Sequence, residues 1–414
     1  MTEILNFGSC NIDYVYRLDH IVAPGETENS VDLQVFPGGK GLNQSIAVAR
    51  AGGTVFHAGQ IGDDGDMLKE IMAESGVDVT NVKKTEGHSG HAIIQVTEDG
   101  ENSIFLYSGA NRTLSDDFID SVLDKFDSND ILILQNEING IDKIIRTAHG
   151  KGMRIMLTPS PINGDIFRVD LGMLSYLLLN ETEAKALSHE NDADRGVEKL
   201  CRLYPNLQVV LTLGANGCLY RSAEKRYYHP AFNVDSVDTT AAGDTFAGYF
   251  IAATASGVQP EAAVRRATAA AALAVSHKGA APSIPTAREV DEALERLILN
   301  PSAYDDKKRI GIIMGYVNES LQSARLDELA NTLGYSVTYT GTVVKQLTGR
   351  NFSAILEDAR CKRAAELLID TALPVEEIIH TVGYDNKSFF RTLFLKRYGS
   401  APLEFRKRHS KNKK

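Results

Sequence analysis

The sequence predicts two structural units: an α/β unit over residues 1–298 and an all-helical unit over residues 308–410, with a linker at 299–307. In the first unit, short apolar runs such as ILILQNE, RIMLTP and VVLTLG alternate with segments of helix period. This alternation is typical of a mainly parallel sheet with helices on both faces, a three-layer α/β/α sandwich whose ligands bind beyond the carboxyl ends of the strands. After residue 305 only helix-period segments remain.

The charge of the chain is divided unevenly between these units. The 414 residues include 44 Lys and Arg against 54 Asp and Glu. Residues 303–414 hold 19 of the basic and 13 of the acidic residues, a net charge of +6, which leaves 25 against 41, or −16, for the rest. An acidic body with a basic tail is expected if only the tail meets a polyanion such as DNA. A net charge of +6 over this length is also ordinary, so charge alone leaves both interpretations open.

The composition predicts a globular cytoplasmic protein. Hydrophobic residues at 43% and charged residues at 24% are near the averages for globular domains. The four cysteines are scattered, without a CxxC pair or a His at zinc spacing, which disfavours a disulfide framework or a structural metal. Because the N-terminus enters strand-like sequence directly and no apolar run reaches 18 residues, we expect neither export nor a membrane span.

Two segments of the first unit interrupt its alternation of helices and strands. VDLQVF (31–36) and HAIIQVTEDGENSIFLYSG (91–109) look like antiparallel strands, the second a hairpin about Asp99-Gly100. We expect them to form a small β-sheet that covers the ligand site as a lid. The segment PSIPTAREVDEALERLIL closes the unit with one helix, and Asn300-Pro301 marks its boundary.

The strongest chemical signal is DTTAAGDTFAGYF at 238–250, a turn of small residues that leads into an apolar helix. Such a turn leaves backbone N–H groups, here from Ala241 to Asp244, without acceptors, and they can hold a phosphoryl group as negative charge develops. The Asp244 carboxylate then lies beside this pocket and could accept the proton of an attacking hydroxyl. Alternatively, Asp244 only stabilises the N-terminus of its helix.

A second signal is FPGGKGLNQSIAVARAGG at 36–53. Its glycines allow close approach of the backbone to a polar ligand, and the Asn43 amide can bind a hydroxyl. The segment is not a Walker A loop, which needs four residues between its first glycine and GK followed by Ser or Thr. Taken alone, the segment is better explained as an ordinary glycine-rich turn between a strand and a helix.

Together these motifs make residues 4–297 resemble the ribokinase family, the phosphofructokinase-B type of carbohydrate kinase. Further matching segments are GSCNIDYV, GENSIFLYSGAN, LQNE, NETE, TLGANG and HKGAAPSIPT. The resemblance implies a ribokinase-like sandwich with a β lid. It also implies ATP-dependent phosphorylation of a sugar hydroxymethyl group, with D-ribose as the first candidate and fructose, deoxyribose or a nucleoside as alternatives.

The resemblance also implies roles for individual residues. Asp244 matches the catalytic base and a substrate contact. The anion hole matches Ala241, Ala242 and Gly243. Sugar-contacting positions match Asn11, Asp13, Gly39, Lys40, Asn43 and Glu137. ATP-binding positions match Asn180, Thr212, Gly214, Gly217, Gly243 and Thr268.

Two metal sites follow from the same resemblance. Glu183, in an Asn-x-x-Glu motif with Asn180, matches a Mg²⁺ position and is expected to act partly through water. The K⁺ loop matches Asp238, Thr240, Ala274, Gly279 and Ser283. One departure is that the anion turn reads AAGD where the wider family commonly has GAGD, which favours the ribokinase branch. Dimers formed through the lid are common in these kinases, so a homodimer is a possibility for this chain.

The basic tail contains two helix-turn-helix patterns, RLDELANTLG-YS-VTYTGTVVKQLTG and PVEEIIHTVG-YDN-KSFFRTLFLKRYG, the first turning through Tyr335 and Ser336. Residues 308–408 thereby resemble the DNA-binding domain of AraC-type regulators, in which the second helix of each pattern enters the major groove. In the second pattern, the exposed DNA-binding candidates are Asn386, Lys387, Ser388, Arg391 and Lys396. The predicted core residues of the same helix are Phe389, Phe390, Leu393 and Phe394.

The first pattern departs from the family, because Thr340-Gly341-Thr342 stands where polar or basic residues usually read bases. Glycine within a helix costs about 1 kcal/mol relative to alanine. Duplex DNA remains the expected partner of the tail, and a degenerate helical module for protein contacts is the alternative. For the whole chain, a kinase with a fused regulatory module and a sugar-sensing transcription regulator with a kinase-derived sensor remain compatible interpretations.

Overall fold

The chain folds into two units, residues 1–300 and 301–414, and each is described by itself. The computed structural model describes residues 2–97, 101–298, 302–333 and 337–409. Three predicted features lie outside the described residues: the turn at Asp99-Gly100, the turn through Tyr335 and Ser336, and the boundary at Asn300-Pro301.

A main sheet and a smaller lid sheet contain the strands of the first unit. The strands are β1 Ile4–Phe7, β2 Asn11–Arg17, β3 Asp32–Gly38, β4 Val55–Ile61, β5 Asp78–Lys84, β6 Gly90–Val96, β7 Asn102–Tyr107, β8 Ile131–Gln135, β9 Arg154–Thr158, β10 Tyr176–Asn180, β11 Gln208–Thr212, β12 Cys218–Arg221 and β13 Arg226–His229. The main sheet has the order β13-β12-β11-β10-β9-β8-β1-β4-β5. It is parallel from β5 to β11, and β12 and β13 extend it antiparallel, so the predicted mainly parallel sheet is confirmed.

Helices cover both faces of the main sheet. They are α1 Lys40–Arg50, α2 Asp66–Glu74, α3 Asp116–Leu123, α4 Ile141–Gly150, α5 Glu181–Ser188, α6 Ala193–Leu203, α7 Ala242–Ala255, α8 Pro260–Val275 and α9 Ala287–Leu294. Ile4 of β1 belongs to one buried cluster, with residues of α1, α7 and α8, whereas its neighbour Leu5 belongs to another, with residues of α3, α4 and α6. Because side chains alternate along a strand, apolar runs without polar interruption fill both cores.

The lid is a four-stranded sheet of order β3-β2-β6-β7. The two segments predicted as lid strands do form β3, β6 and β7, and β6 pairs antiparallel with β7. Strand β3 pairs antiparallel with β2, so the predicted antiparallel strands are confirmed. Strand β2 itself was not predicted as part of the lid, and it joins the two antiparallel pairs by pairing in parallel with β6. Only residues 8–10 separate β1 from β2, and the chain crosses there from the main sheet into the lid.

The second unit is helical throughout its described residues. Its helices are α10 Ser302–Glu319, α11 Leu326–Leu333, α12 Val337–Thr348, α13 Phe352–Asp370, α14 Val375–Thr381, α15 Lys387–Tyr398 and α16 Pro402–His409. The two predicted helix-turn-helix patterns correspond to α11 with α12 and to α14 with α15. Helix α10 begins at Ser302, within the predicted linker, and the Arg309 to Asp306 ion pair at 3.2 Å lies in its first turns.

Two small cores lie at opposite ends of α13. The first half of α13 contributes Ile355 to a cluster with α10, α11 and α12, and its second half contributes Leu368 to a cluster with α14, α15 and α16. Each helix-turn-helix pattern therefore has its own core, joined by one long helix. The predicted core residues Phe390 and Phe394 are fully buried, and Leu393 packs against them.

The prediction that Phe389 is a core residue was wrong. Phe389 is 51% exposed, while its neighbour Phe390 is buried. Adjacent residues of a helix are about 100° apart around its axis, and Phe389 lies on the side of α15 that leaves the core which its neighbour Phe390 enters. In α12, Thr340, which stands where the family usually has a base-reading residue, is itself buried. Within the ranges that the structure describes, no helix is both long and apolar enough to cross a membrane.

Candidate active site

A cleft of about 520 Å³ lies beyond the carboxyl ends of the parallel strands. Its lining includes Asn180 and Thr212, which end β10 and β11, and Glu137, which follows β8. The lid contributes Ile94 of β6 and Ile104 of β7 to the same lining, neither of which was a predicted site residue. In an α/β sheet this edge is where ligands bind, and the lid bounds the cleft on its other side.

Asp244 brings the two sequence motifs together. It lies in the first turn of α7 and is 8% exposed. Its Oδ2 accepts a hydrogen bond from Asn43 Nδ2 at 3.2 Å, and its Oδ1 accepts one from Gln44 Nε2 at 3.0 Å. Both amides belong to α1, so residues about 200 positions apart form one site. An ionised carboxylate has four lone-pair sites, which leaves acceptor capacity for a ligand hydroxyl.

The turn before α7 has a left-handed residue, Ala241, at φ 60°. This conformation costs a non-glycine residue about 1–2 kcal/mol, so a glycine would adopt it without that cost. Ala242 N–H donates to Thr239 O at 3.3 Å, and Thr245 N–H makes the first intrahelical bond, to Ala241 O at 2.8 Å. The N–H groups of Gly243 and Asp244 precede that bond, so the helix itself offers them no acceptor.

Four acidic side chains act on Lys40 in the cleft. The pKa of Lys40 is raised, chiefly by Asp244 and further by Glu137, Glu183 and Asp13, while burial opposes the rise. Burial raises the pKa of Asp13 to about 7, with Glu137 and Asp244 adding to the rise and Lys40 opposing it. Burial likewise raises the pKa of Glu137, whose Oε2 accepts hydrogen bonds from the Ser9 hydroxyl and from Lys40 N–H. The cleft is therefore rich in acceptors suited to hydroxyl donors.

The other predicted sugar contacts, Asn11, Gly39 and Asn43, also line the cleft. Asn11 Oδ1 accepts a 2.7 Å hydrogen bond from Asn111 Nδ2, which orients the Asn11 amide. Asn43 Oδ1 is buried and has no hydrogen-bond partner among the described residues, so a ligand hydroxyl would satisfy it. Gly39 has φ 93°, and a Cβ there would lie 2.9 Å from the Asn11 backbone N, so the position requires glycine.

A second cavity adjoins the cleft. The predicted nucleotide contacts Thr212, Gly214, Gly217 and Thr268 line it. Its remaining lining is largely apolar and was not predicted: Phe232, Val234, Phe246, Ala271, Ala272 and Val275. Gly243 lines both the cleft and this cavity, as do Thr212 and Thr239. A largely apolar cavity suits a purine ring, and Gly243 lies where a phosphate chain would pass from it into the cleft.

Asn180 and Glu183 form a capping box at the start of α5. Asn180 Oδ1 accepts from Glu183 N–H at 2.9 Å, and the Glu183 carboxylate accepts from Asn180 N–H at 3.0 Å and from Asn180 Nδ2 at 2.9 Å. Both residues line the cleft. Because both carboxylate oxygens already accept hydrogen bonds, this pair fits a Mg²⁺ ion that keeps its own waters better than one bound directly.

Asp238 joins two loops of the predicted K⁺ site. Its carboxylate accepts from Thr240 N–H and from Gly279 N–H, both at 2.9 Å. Burial alone would raise its pKa, but the hydrogen bond from the Thr240 hydroxyl, those from the two N–H groups and the charge of Lys278 together outweigh burial and leave the pKa lowered. Ala274 lies in the last turn of α8, and the buried Ser283 hydroxyl donates to Ala280 O at 2.9 Å. The oxygen atoms of these loops have the hard character that K⁺ requires.

The α/β sandwich, its lid and the two cavities that meet at Gly243 define the first unit as a carbohydrate kinase. The model of the pfkB family carbohydrate kinases matches residues 1–287, and the chain belongs to this family. The model of a helix-turn-helix domain matches residues 329–408 in the second unit.

Proteins of known name resemble the first unit. Ribokinase of Haemophilus influenzae is 36% identical over 298 residues, which are 70% of this chain and 97% of the relative. The structure of ribokinase from Thermotoga maritima, 36% identical, has a TM-score of 0.64 and covers 72% of this chain and 100% of its own. The structure of Arabidopsis thaliana ribokinase complexed with ribose and ATP, 29% identical, has a TM-score of 0.63 and covers 71% of this chain and 99% of its own.

Proposed function

We propose that the first unit transfers the γ-phosphoryl group of ATP to the hydroxymethyl group of D-ribose, giving D-ribose 5-phosphate and ADP. The observation that carries this proposal is the position of Asp244, buried between the Asn43 and Gln44 amides at the point where the cleft meets the second cavity. The similarity to ribokinases supports ribose over fructose, deoxyribose or a nucleoside.

In the proposed reaction, Asp244 accepts the proton of the hydroxymethyl group. The hydroxyl oxygen forms a bond to the γ-phosphorus as the bond from that phosphorus to the β,γ-bridging oxygen breaks, and ADP leaves with the electron pair. The N–H groups of Gly243 and Asp244 stabilise the negative charge on the migrating phosphoryl group, helped by the N-terminus of α7. Ala241 holds the turn in the conformation that exposes them, and Ala242 supports it through Thr239.

The polar groups of the cleft hold the sugar for this attack. The carboxylate of Asp13 and the free Oδ1 of Asn43 accept hydrogen bonds from ring hydroxyls, while the Asn11 amide donates. Glu137 and Lys40 complete the polar wall, and Gly39 lets the backbone approach the ring. The apolar lid residues Ile94 and Ile104 cover the less polar face of the sugar and exclude water.

Asn180, Thr212, Gly214, Gly217, Gly243 and Thr268 are the proposed contacts of ATP. Glu183 would reach a Mg²⁺ ion through water, and the ion would supply positive charge against the phosphates of ATP. The loops before α7 would be steadied by a K⁺ ion held by Asp238, Thr240, Ala274, Gly279 and Ser283. Asp238→Ala should therefore abolish stimulation by K⁺, whereas Asp235→Ala, which changes an exposed acid of the same loop, should leave it intact.

The decisive experiment is Asp244→Asn, assayed with ATP, Mg²⁺ and K⁺ against ribose, deoxyribose, fructose and nucleosides. Loss of the base should lower kcat by about 10²–10⁴ while ribose still binds, as measured by calorimetry. Asp235→Asn is the control and should remain active. A turnover of Asp244→Asn close to that of the unchanged protein rejects Asp244 as the base, and a clear preference for another acceptor rejects ribose.

The second unit is proposed to bind duplex DNA through α15. Asn386, Lys387, Ser388, Arg391 and Lys396 are all exposed, and Lys387 makes an ion pair with the exposed Glu376 at 2.8 Å. Binding of the full chain to the DNA upstream of its own gene should weaken steeply with salt. If the chain shows no affinity for this DNA at low salt, the second unit is instead a helical module for protein contacts. A sugar-dependent change in DNA affinity would favour a regulator that uses the kinase unit as its sensor.

The exposed apolar side chains on the outer face of the lid support the proposal that two copies of the chain form a homodimer through their lids. Strand register places Val35, Ile93 and Phe105 on the face opposite to the cleft-lining Ile94 and Ile104. Val35 is 44% and Phe105 59% exposed, and exposed apolar patches commonly mark interfaces. Sedimentation should show a dimer that Phe105→Lys dissociates.

A reducing cytoplasm is the proposed compartment, because all four cysteines are free and buried.

A further inference from the structure

Gln44, the second amide donor to Asp244, was not among the predicted site residues. It follows Asn43 in the GGKGLNQ string, so its place beside a predicted sugar contact was the one signal in the sequence. Its hydrogen bonds continue into the core through four more polar side chains, each 1% exposed or less: Gln135, Asn6, Ser45 and His57.

We propose that Gln44 is a positioning residue for Asp244, and that the buried hydrogen-bonded series behind it holds its amide in the one orientation that donates to the base. This inference rests on the proposed role of Asp244. Neither Gln135 nor any residue beyond it lines the cleft, and Gln135 acts on the reaction through its hydrogen bond to Gln44.

Hydrogen-bond chemistry sets the direction of the first part of the series. An ionised carboxylate only accepts, so the Gln44 atom that faces Asp244 is Nε2, and Gln44 Oε1 faces Gln135 Nε2 at 2.8 Å. Gln135 donates its other N–H to Asn6 Oδ1 at 3.0 Å. If the Gln44 amide turned over, its oxygen would face the carboxylate and its NH₂ would face another NH₂. Both contacts would become repulsive.

The far end of the series has a direction of its own. Asn6 Nδ2 donates to Gly41 O and to Ser45 Oγ, both at 2.8 Å. Ser45 Oγ lies 2.8 Å from His57 Nδ1, and the Ser45 hydroxyl donates to Nδ1 when the neutral ring carries its proton on Nε2, which is 3.3 Å from Cys10 Sγ. Burial lowers the pKa of His57 to about 4, so the ring is neutral near pH 7. Asn6 accepts through Oδ1 on the side of Gln135 and donates through Nδ2 on the side of Ser45, so both sides require the same orientation of its amide.

The series is retained at a cost to stability. Gln135 Oε1 is buried without a hydrogen-bond partner among the described residues, and an unsatisfied buried carbonyl is unfavourable. An apolar side chain of similar length would avoid that cost. Proteins accept such an unsatisfied group mainly where a functional site requires it. Gln135 lies one hydrogen bond from Gln44, where the orientation of the amide matters more than stability.

The test compares Gln44→Leu, Gln135→Leu and the double variant in steady-state kinetics with ribose and ATP. Each single change should lower kcat about tenfold or more, because small displacements of a reacting group are costly, and should leave KM for ribose within about twofold. Since Gln135 acts through Gln44, the double variant should be no slower than Gln44→Leu. Thr245→Val removes a buried hydroxyl that lies next to Asp244 and has no hydrogen-bond partner in the described part of the chain, and this variant should keep its kcat.

Three results would overturn the inference: a normal kcat for Gln135→Leu, losses that multiply in the double variant, or an effect on KM in place of kcat. Thermal melting checks that each variant is folded, and Gln135→Met replaces Gln135→Leu if the latter is not. The proposed function has a separate test. An active Asp244→Asn rejects the base itself, whereas an inactive Asp244→Asn together with an undiminished Gln44→Leu rejects only the positioning role.

Discussion

Gly38 and Asp13 lie on adjacent lid strands, and a Cβ on Gly38 would be 2.0 Å from Asp13 Oδ2. The glycine leaves the space in which the Asp13 carboxylate faces the cleft. The close approach explains why a residue without a side chain ends β3, immediately before the turn at Gly39. It also links the lid backbone to the proposed recognition of the sugar.

Gly38→Ala should therefore displace the Asp13 carboxylate and weaken sugar binding. We expect KM for ribose to rise about tenfold, which corresponds to about 1.4 kcal/mol of lost binding, with a smaller change in kcat. The control is Gly150→Ala at the end of α4, where an added Cβ meets nothing within 4 Å. Initial-rate kinetics of the two variants measure the difference. Equal KM values for the two would contradict this role of Gly38.

The raised pKa of Asp13, about 7, predicts a pH dependence of sugar capture. Above pH 7 the ionised carboxylate accepts two hydroxyl hydrogen bonds, whereas the protonated form below pH 7 accepts less well. We expect kcat/KM for ribose to fall as the pH decreases through about 7, since this parameter reports groups of the free enzyme. The limb near pH 7 should be absent in Asp13→Asn. Its persistence there would assign the titration to another group.

The same shift has a consequence for stability. The pKa of Asp13 is raised on folding, so its protonated form is favoured in the folded state. Its contribution is full below the unfolded value of about 3.8 and is lost as the pH rises through about 7. Asp13→Asn should therefore raise Tm at pH 8 by about 2 °C or more, and by clearly less at pH 5, where only part of the contribution has been lost. Calorimetry at both pH values measures this difference, and a destabilised variant at pH 8 would contradict it.

Phe389 is exposed on the helix that carries the proposed DNA contacts, and an apolar side chain there can contact the methyl group of thymine. Phe389→Ala should weaken binding to the specific site more than to random DNA and leave the salt dependence unchanged. Arg391→Ala should reduce the slope of log K against log salt by about 1. Leu395→Ala, another exposed apolar residue of α15, is the control. Fluorescence anisotropy over a salt series separates these effects.

Much of the candidate site was predictable because many of its residues lie in a few short sequence segments. A turn of small residues before an acid and an apolar helix places Asp244 at a helix N-terminus whatever the rest of the fold does. The glycine pattern near residue 40 similarly predicts close approach of the backbone to a ligand. Those local features, together with the alternation of strands and helices, led to the correct fold class and to the pfkB family.

Other features of the site were not predictable from local patterns. The parallel pairing of β2 with β6 depends on two segments about 80 residues apart in the chain. Likewise, Gln135 looks like the polar end of a buried strand, and only its contact with Gln44 shows why an amide is buried there. The exposure of Phe389 was misjudged because helix period alone does not say which of two adjacent aromatic residues faces the core.

Residue types and short spacings were enough to predict a candidate phosphate-binding turn, a candidate base and two helix-turn-helix patterns, since each depends on the conformation of a few consecutive residues. Folding decided which distant side chains meet. The partners of Asp244, the surroundings of Asp13 and the series from Gln44 to His57 arise where α1, β1, β4, β8 and α7 pack together. Hydrogen bonds and charge interactions act over a few ångströms in space, and the order of residues along a chain does not specify those distances.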